Sequence, residues 1–231
     1  MGHSSTMQQI VPNIKVQVPQ MLFLKDPDST PLGKRIVKNA IEQIRLLGFE
    51  AFTFKKLGLC IGSPESTIYR YFENKHKLLL YLTNWYWSWL EYKLILATIN
   101  VSDPQQRLSN AIKVVTQPVT QDSDFSHINE TLLHSIVISE STKAYLTKEI
   151  KEENSLGCFG AYKRLVNQIS EIIIEINPDF LHPHTLVSTI IEGTHLQSYF
   201  SEHLPSLTDC KKNEGDETEF FTQMAFGLIC K

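Results

Sequence analysis

The sequence has 231 residues, of which 42% are hydrophobic and 10% aromatic, and its net charge is −3. This composition is sufficient for a sizeable core, in one all-helical unit or in a small domain joined to a larger one. No apolar stretch approaches the roughly 18–20 residues that cross a bilayer. No basic segment followed by a long apolar run opens the chain. We therefore expect no signal peptide, no membrane contact and a cytoplasmic location.

The four cysteines lie far apart in the sequence, and no two of them form a Cys-x-x-Cys pair. Zinc ribbons need such close pairs, so we expect reduced thiols. The segment His182-Pro183-His184 is the only candidate metal pair, and the proline between the histidines favours a loop that enters a helix. The sequence predicts no metal and no cofactor.

Charge is divided unevenly along the chain. Between Thr30 and Leu80, nine basic and four acidic residues give a net charge of +5. From Tyr81 onward, eleven basic and nineteen acidic residues give −8. A polyanion is attracted to the first segment and repelled by the second. The charge pattern therefore indicates a functional boundary near residue 80.

The N-terminal third is predicted to begin with an arm, residues 1–28, whose apolar Met21–Leu24 cluster is able to fold back onto the body. Thr30-Pro31 then begins a helix, because threonine caps a helix and proline suits its first turn. Apolar residues recur at helical spacing up to Leu47, and Gly48 supplies a left-handed stop.

Two short helices are predicted on either side of a turn at Gly62. Thr53 can cap the first helix, which runs to about Cys60. The segment Ser63-Pro64-Glu65 opens the second with a cap, a first-turn proline and an acid near the positive end of the helix dipole. Two short helices joined by a glycine turn meet the requirements of a helix-turn-helix motif over about residues 53–72.

The second of these short helices is predicted to have two distinct sides. Ile68 and Phe72 lie one turn apart and should face the core, which leaves Ser66, Thr67 and Arg70 exposed. Exposed polar and basic groups on such a helix are suited to base edges in the major groove.

The rest of the chain is predicted to be helical as well. A long helix starts at Glu73 or Asn74 and ends near Asn100, and the later helices cover about 103–117, 126–139, 142–152, 155–176, 184–203 and 216–230. No convincing alternating strand is present. The predicted fold is all-α, with a three-helix domain at 29–80 that contains the helix-turn-helix and a larger helical domain at 81–231.

The run Gly48–Leu79 resembles the DNA-binding domain of the tetracycline-repressor (TetR) family without a gap. Its residues are GFEAFTFKKLGLCIGSPESTIYRYFENKHKLL. Thr67–Phe72 matches the recognition helix, and Lys75 falls at the start of the fourth helix. The resemblance implies a repressor that binds a palindromic operator in double-stranded DNA as a homodimer and responds to a small-molecule effector. It assigns DNA binding to residues 29–80 and effector binding and dimerisation to the helical domain at 81–231.

The resemblance also assigns roles at the DNA. Thr53, Tyr69 and Lys75 are expected to hold phosphates, and Lys55 and Lys56 in the first turn of the second helix add to this contact. The candidates for base contacts are Ser66, Thr67 and Arg70, and Glu65 and Tyr71 complete the predicted DNA-binding residues. The alternative for Thr53 is a helix cap only, and for Tyr69 and Tyr71 it is packing only. Arg70 suits guanine, and a carboxylate such as Glu65 can accept from a cytosine amino group. Two features depart from the family pattern: Gly58 stands in place of alanine, and Pro64-Glu65 replaces the usual cap.

Two apolar stripes in the larger domain have two interpretations each. Trp85, Trp89 and Tyr92 form either an aromatic effector pocket or, the favoured interpretation, core packing where the domains meet. The last two helices carry a stripe that is either a dimer interface or ordinary core. Its residues are Leu186, Ile190, Gly193, Phe220, Phe221, Met224 and Leu228.

Two alternatives to a DNA-binding regulator remain. The sequence has no Gly-x-Ser-x-Gly elbow, phosphate loop or dinucleotide fingerprint, so we do not expect an enzyme. The second alternative is a regulator-like helical protein that no longer binds specific DNA and acts through protein contacts.

Overall fold

The computed structural model describes residues 16–121, 127–211 and 214–230. Within these ranges the chain is built of α-helices and three short 3-10 helices, without a strand, which confirms the all-α prediction. The α-helices are α1 (Pro31–Leu47), α2 (Phe54–Ile61), α3 (Glu65–Ile68), α4 (Lys75–Thr98), α5 (Pro104–Thr116), α6 (Glu130–Glu140), α7 (Thr142–Tyr145), α8 (Ile150–Ser155), α9 (Gly160–Ile176), α10 (Pro183–His203) and α11 (Asp216–Ile229).

Helix α1 begins and ends as the sequence predicts. The Thr30 hydroxyl accepts a hydrogen bond from the Gly33 N–H at 3.0 Å, and Pro31 occupies the first turn. Gly48 ends the helix with a φ of +74°. The apolar face of the helix, which includes Ile36 and Ile44, is fully buried.

Helices α2 and α3 form the predicted helix-turn-helix, with one difference at the second cap. The Thr53 hydroxyl accepts from the Lys56 N–H at 3.2 Å, and Gly62 adopts the left-handed conformation that ends α2. The predicted cap at Ser63 is wrong, because α3 starts after Pro64 and no side chain caps it. The Ser63 N–H is instead bonded to the Gly58 carbonyl at 2.9 Å, inside the turn.

Gly58 is required by this turn. A Cβ on Gly58 would lie 2.7 Å from the Ser63 carbonyl oxygen and 3.2 Å from the Glu65 nitrogen. Both are backbone atoms, so neither can rotate away from an added methyl group. Glycine has a lower helix propensity than alanine and therefore weakens α2 slightly. At this position it also permits α2 and α3 to approach closely.

The described part of the arm folds back onto the body, as the Met21–Leu24 cluster suggests. Leu22 is fully buried, and the Leu24 N–H donates to the Tyr71 carbonyl at 2.8 Å. The Ser88 hydroxyl donates to the Gln17 carbonyl at 2.9 Å. The arm is thus anchored to the helix-turn-helix and to α4. The rest of the predicted arm, residues 1–15, lies outside the described residues.

Helix α4 joins the two predicted domains, because the expected boundary at residue 80 falls inside it. Asn74 caps it by accepting from the Lys77 N–H at 2.8 Å. Every residue from Leu78 to Leu90 is buried, so the helix is surrounded over this stretch rather than apolar on one stripe. α5, α6 and α9 pack around it.

Three predicted helix boundaries are wrong. The helix expected over 142–152 is two helices, α7 and α8, because Leu146 leaves the helical region with ψ +52° and its exposed side chain gains no packing. α9 starts at Gly160 rather than at 155, after Gly157 turns the chain with a φ of +85°. α6 starts after the Asn129 cap; the predicted start at 126 lies outside the described residues.

The last two helices pack against each other at a glycine. A Cβ on Gly193 of α10 would lie 2.8 Å from the Phe221 ring of α11, so glycine makes room for that ring. Leu186, Ile190 and Phe221 are 6%, 2% and 3% exposed within the single chain. These three predicted interface residues therefore belong to the core.

No helix in the described ranges is long and apolar enough to cross a membrane.

Candidate nucleic-acid interface

Helix α3 has one side in the core and one side in solvent. Ile68 and Phe72 are fully buried and anchor the segment. Ser66 and Arg70 are exposed, and Thr67 is half-buried. The helical turns continue beyond Ile68, since the Phe72 N–H donates to the Ile68 carbonyl at 3.1 Å. The segment from Glu65 to Phe72 therefore presents the three predicted base-contacting side chains at the surface.

The start of α2 brings together several groups that favour an anion. The Thr53 oxygen accepts from the Lys56 N–H, which leaves the hydroxyl proton of Thr53 available to an outside acceptor. Lys55 and Lys56 are exposed beside it, and the Lys56 ammonium donates to the Ala51 carbonyl at 2.7 Å. A hydroxyl donor, two ammonium groups and a helix N-terminus make this corner favourable for an anion.

The two tyrosines of the motif have different positions. Tyr69 is 45% exposed, with its ring edge-on to Phe54 at 5.0 Å between centroids. Tyr71 is 3% exposed, and its hydroxyl is 2.8 Å from the Thr30 hydroxyl. This burial favours the packing alternative for Tyr71, because the ring lies in the core and ties the start of α1 to the motif.

Lys75 is engaged within the protein. Its ammonium donates to the Phe49 and Glu50 carbonyls at 3.0 and 3.2 Å, and lies 4.7 Å from the centroid of the Phe49 ring. These contacts fasten the start of α4 to the loop between α1 and α2. A phosphate contact by Lys75 would have to share the ammonium with this loop.

Two buried glutamates connect the motif to the larger domain. Glu140, the last residue of α6, accepts from the Phe49 N–H at 3.1 Å and pairs with Lys143 at 2.7 Å. Glu153 of α8 lies 2.9 Å from His76 and 3.2 Å from Lys77, in the first turn of α4. No local sequence pattern marks these links, because Glu140 is 91 residues from Phe49 and Glu153 is 77 and 76 residues from His76 and Lys77.

The tryptophans of α4 pack in the core. Trp85 and Trp89 are 1% and 3% exposed, which favours the core interpretation over an aromatic pocket. Trp87 also packs inward, stacked on Tyr162 with ring centroids 4.3 Å apart. Tyr92, the third predicted pocket residue, is half-buried and packs against the same core.

Two buried histidines lie beside these rings. His134 Nδ1 is 2.7 Å from the Tyr86 hydroxyl, and the His134 and His195 rings meet edge to face at 5.8 Å. Burial lowers the pKa of His134 to about 4 and that of His195 to about 3. Both side chains are therefore neutral near pH 7.

The candidate metal pair lies at a helix start. His182 immediately precedes α10 and Pro183 begins it, as a helix-entry loop predicts. In the part of the chain that the structure describes, no group of three or more histidine, cysteine or acidic side chains is placed to hold a metal ion.

The N-terminal part of the chain matches a known protein family. A model of the family described as bacterial regulatory proteins, tetR family, matches residues 36–82. This segment of the chain therefore matches the tetR family. The match covers all of α2 and α3 and the first two turns of α4. It thereby confirms the resemblance that the sequence indicates.

Solved structures show a similar fold over most of the chain. AibR, in complex with isovaleryl coenzyme A and operator DNA, is 17% identical with a TM-score of 0.54, over 82% of this chain and 95% of AibR. A transcriptional regulator from Rhodococcus sp. Rha1 is 14% identical with a TM-score of 0.55, over 88% and 97% of the two chains. The superantigen PfiT is 14% identical with a TM-score of 0.56, over 88% and 98%. No curated protein matches the sequence.

Proposed function

We propose that this protein is a sequence-specific transcriptional regulator, a repressor, that binds a palindromic operator as a homodimer. The observation that carries the proposal is the geometry of α3 in a TetR-family domain. Buried Ile68 and Phe72 hold the segment in place while Ser66, Thr67 and Arg70 face outward. Polar and cationic side chains on the outer face of a short helix are what base edges in the major groove require.

The contacts divide into two kinds. Thr53, Lys55, Lys56 and the hydroxyl of Tyr69 hold phosphates, which sets the position of the domain on the duplex. Ser66, Thr67 and Arg70 reach the bases, with the guanidinium of Arg70 suited to the O6 and N7 of guanine. Glu65, which is half-buried at the start of α3, accepts from a cytosine amino group.

The homodimer is proposed to form through the exposed apolar side chains of the last two helices. Phe220 and Leu228 of α11 are 55% and 45% exposed, and Met224 lies half-buried between them along the helix. Leu196 and Tyr199 add apolar surface on α10, with 53% and 37% exposed. A two-fold dimer would place two copies of α3 about one DNA turn apart, ~34–36 Å, and so require a palindromic site.

A small-molecule effector is part of the proposal. AibR was solved with both isovaleryl coenzyme A and operator DNA, so one protein of this fold accommodates a ligand together with an operator. PfiT carries the same fold and is described as a superantigen. Because the fold serves both proteins, the support for DNA binding here comes from the outer face of α3 and its cationic surroundings.

Selection of bound sequences from a random pool of DNA duplexes tests the function. We expect enrichment of a palindromic consensus whose half-site centres lie about 10 base pairs apart or a multiple of that. The control is a variant with Ser66→Ala, Thr67→Ala and Arg70→Ala, which leaves the buried side of α3 intact and should lose the consensus. Failure of the wild-type protein to enrich any sequence would favour the alternative of a regulator-like protein that acts through protein contacts.

A salt titration gives an independent measurement on the selected duplex. Each neutralised phosphate releases condensed counterions, so the logarithm of the binding constant falls linearly with the logarithm of the salt concentration. Several phosphate contacts in each protomer predict a steep slope. A shallow slope would contradict the phosphate contacts proposed for Thr53, Lys55 and Lys56.

A further inference from the structure

A cavity of about 270 Å³ lies between the end of α5 and helices α6, α10 and α11. It lies just below the usual range for drug-sized ligands, roughly 300–1,000 Å³, so its occupant must be small. The side chains that matter most for its chemistry are Glu217, Thr194, Ser135, His134 and Arg45. They come from four different helices, including α1 of the DNA-binding domain.

Glu217 is the most unusual of these residues. It is 5% exposed and lines the cavity, and no hydrogen bond or ion pair joins its carboxylate to any other described residue. Its neighbours on α11 do have partners, since Asp216 accepts from the Lys211 N–H at 2.9 Å and Glu219 accepts from Gln223 at 3.0 Å. The positive end of the α11 dipole favours all three acids, so it does not explain why one of them is buried. A buried carboxylate is costly unless a cation or donors meet it.

The hydroxyl groups in the wall also present acceptors. Thr194 donates its proton to the Ile190 carbonyl at 2.8 Å, and Ser135 donates to the Leu132 carbonyl at 2.7 Å. A hydroxyl has one proton and two lone pairs, so each of these oxygens can only accept from a ligand. This part of the wall therefore combines a carboxylate with hydroxyl acceptors, an arrangement that favours an occupant with N–H or O–H donors.

The positive charge of the wall lies at its edge. Arg45 is exposed, on the last turn of α1. His134 adds no positive charge near pH 7, because burial keeps the ring neutral. Inside the cavity the charge is negative, which opposes an anionic ligand and favours a cation.

We propose that this cavity binds a small organic ammonium ion, whose N–H groups donate to Glu217, Thr194 and Ser135. An ammonium group carries three donors and no acceptor, which matches a carboxylate flanked by acceptor oxygens. The apolar remainder of the ligand would lie against Leu132 and Ile138, which line the same cavity. The size of the cavity limits the ligand to a short aliphatic amine.

The location of the cavity gives the amine a regulatory role, and this part of the inference rests on the proposed DNA-binding function. α6 supplies Ser135 to the cavity and, at its last residue, Glu140 to the Phe49 N–H. Phe49 lies in the loop that precedes the Thr53 cap of α2. A ligand that shifts α6 would therefore move the loop on which the DNA-binding motif is held, and binding at the two sites would be coupled reciprocally.

Calorimetric titration of the full-length protein without DNA tests the site itself. The probes share a four-carbon chain and differ in charge: n-butylammonium, the zwitterion 4-aminobutanoate, and butanoate. We expect n-butylammonium to bind with a Kd of about 1 mM or tighter, and butanoate to bind at least about tenfold more weakly. Preference for butanoate or for the zwitterion would overturn the proposal, as would the absence of binding by n-butylammonium.

Two variants identify the residues responsible. Glu217→Gln keeps the shape of the side chain and should weaken n-butylammonium binding by about tenfold or more, because a charged hydrogen bond is lost. Glu219→Gln is the matched control on the exposed side of α11 and should leave the Kd unchanged. Thr194→Val preserves shape, removes one acceptor oxygen and should also weaken binding. Equal affinities for Glu217→Gln and Glu219→Gln would overturn the site.

The effect of n-butylammonium on operator affinity distinguishes ligand binding from regulation of DNA binding. The affinity for the selected operator is measured with and without saturating n-butylammonium. A change that disappears in Glu217→Gln supports regulation through this cavity. Unchanged operator affinity despite binding would overturn the regulatory role and leave the ammonium site standing. Failure to bind any operator would contradict the proposed function, without bearing on the calorimetric result.

Discussion

Arg70 shows how a single side chain is directed outward on the proposed DNA-binding surface. It follows the buried Ile68 by two positions and precedes the buried Phe72 by two, so it lies on the opposite side of the same short segment. The two anchors fix the backbone while the guanidinium is exposed. Removal of the side chain should therefore leave the domain folded and act on recognition alone.

Arg70→Ala should weaken operator binding by about 1–3 kcal/mol and reduce the preference for guanine at one position of each half-site, because a bidentate base contact is lost. Lys55→Ala is the control for a phosphate contact and should weaken operator and scrambled duplexes by similar factors. Fluorescence anisotropy on both duplexes measures the two effects. An unchanged ratio of operator to scrambled affinity in Arg70→Ala would refute the assignment.

Lys75 and Tyr71 show that a residue type in a familiar position does not fix its contacts. Lys75 donates to two loop carbonyls, and Tyr71 is buried against Thr30. A lysine at a helix start and a tyrosine beside a recognition helix are both suited to phosphates. Only the neighbours in three dimensions decide whether such groups face outward or hold the domain together.

At the scale of the element, the turn between α2 and α3 depends on close backbone approach. Gly58 supplies the space for the Ser63 carbonyl, and Gly62 supplies the left-handed residue. The two glycines have different roles. Gly58 is needed for space, whereas Gly62 is needed for its backbone conformation, since nothing lies within 4 Å of a Cβ built on Gly62.

Gly58→Ala should lower the free energy of unfolding by about 1–3 kcal/mol, because the added methyl group overlaps a backbone carbonyl that cannot move freely. Helix propensity alone predicts the opposite sign, a gain of about 0.5–1 kcal/mol. Urea denaturation distinguishes the two. Gly227→Ala is the control, since a Cβ there would meet nothing within 4 Å and should cost no stability.

The loop between α1 and α2 is held from two sides. Lys75 of α4 donates to its carbonyls, and Glu140 of α6 accepts from its Phe49 N–H. Lys143 adds a second link, 3.3 Å from Glu50 and 2.7 Å from Glu140. The DNA-binding motif and the larger domain therefore share one contact region, through which a change in α6 reaches the start of α2.

At the scale of the whole molecule, two buried histidines make stability depend on pH. The pKa of His134 is about 4 and that of His195 about 3 in the folded chain, both lowered first by burial. Both values lie below the ~6.5 of a histidine in an unfolded chain. As pH falls below about 6.5, the unfolded chain takes up protons that the folded chain does not, so stability is lost on acidification.

Each histidine should contribute a loss of about 2 kcal/mol in the free energy of unfolding between pH 7.5 and pH 5. His195→Gln removes one of the two titrating groups and should reduce the total loss by about that amount. Urea denaturation at several pH values measures the slope for both proteins. If the free energy of unfolding fell with pH equally in the wild type and the variant, His195 would not be responsible for the pH dependence.

The proposed homodimer can be tested by charge at its exposed apolar surface. Phe220→Glu should raise the dimer dissociation constant about hundredfold, since roughly 3 kcal/mol is lost when a carboxylate replaces an apolar contact. Leu146→Glu is the control, because Leu146 is 79% exposed and lies at the end of α7. Sedimentation equilibrium measures both. An unchanged monomer–dimer equilibrium in Phe220→Glu would exclude α11 from the interface.

The sequence by itself determined the helical class, the helix-turn-helix and its outer face. Those features depend on local signals: caps at Thr30, Thr53 and Asn74, a stop at Gly48, and 3.6-residue periodicity that separates Ile68 and Phe72 from Arg70. Each acts within one or two helical turns, so a linear pattern contains it.

Only the tertiary structure decided which apolar stripes meet one another. The stripe of the last two helices is divided: Gly193 of α10 makes room for the Phe221 ring in the core, whereas Phe220 is 55% exposed. The links from Glu140 to Phe49 and from Glu153 to His76 join residues 91 and 77 positions apart. Pairings over such distances arise from packing of whole helices, which the periodicity of one helix does not encode.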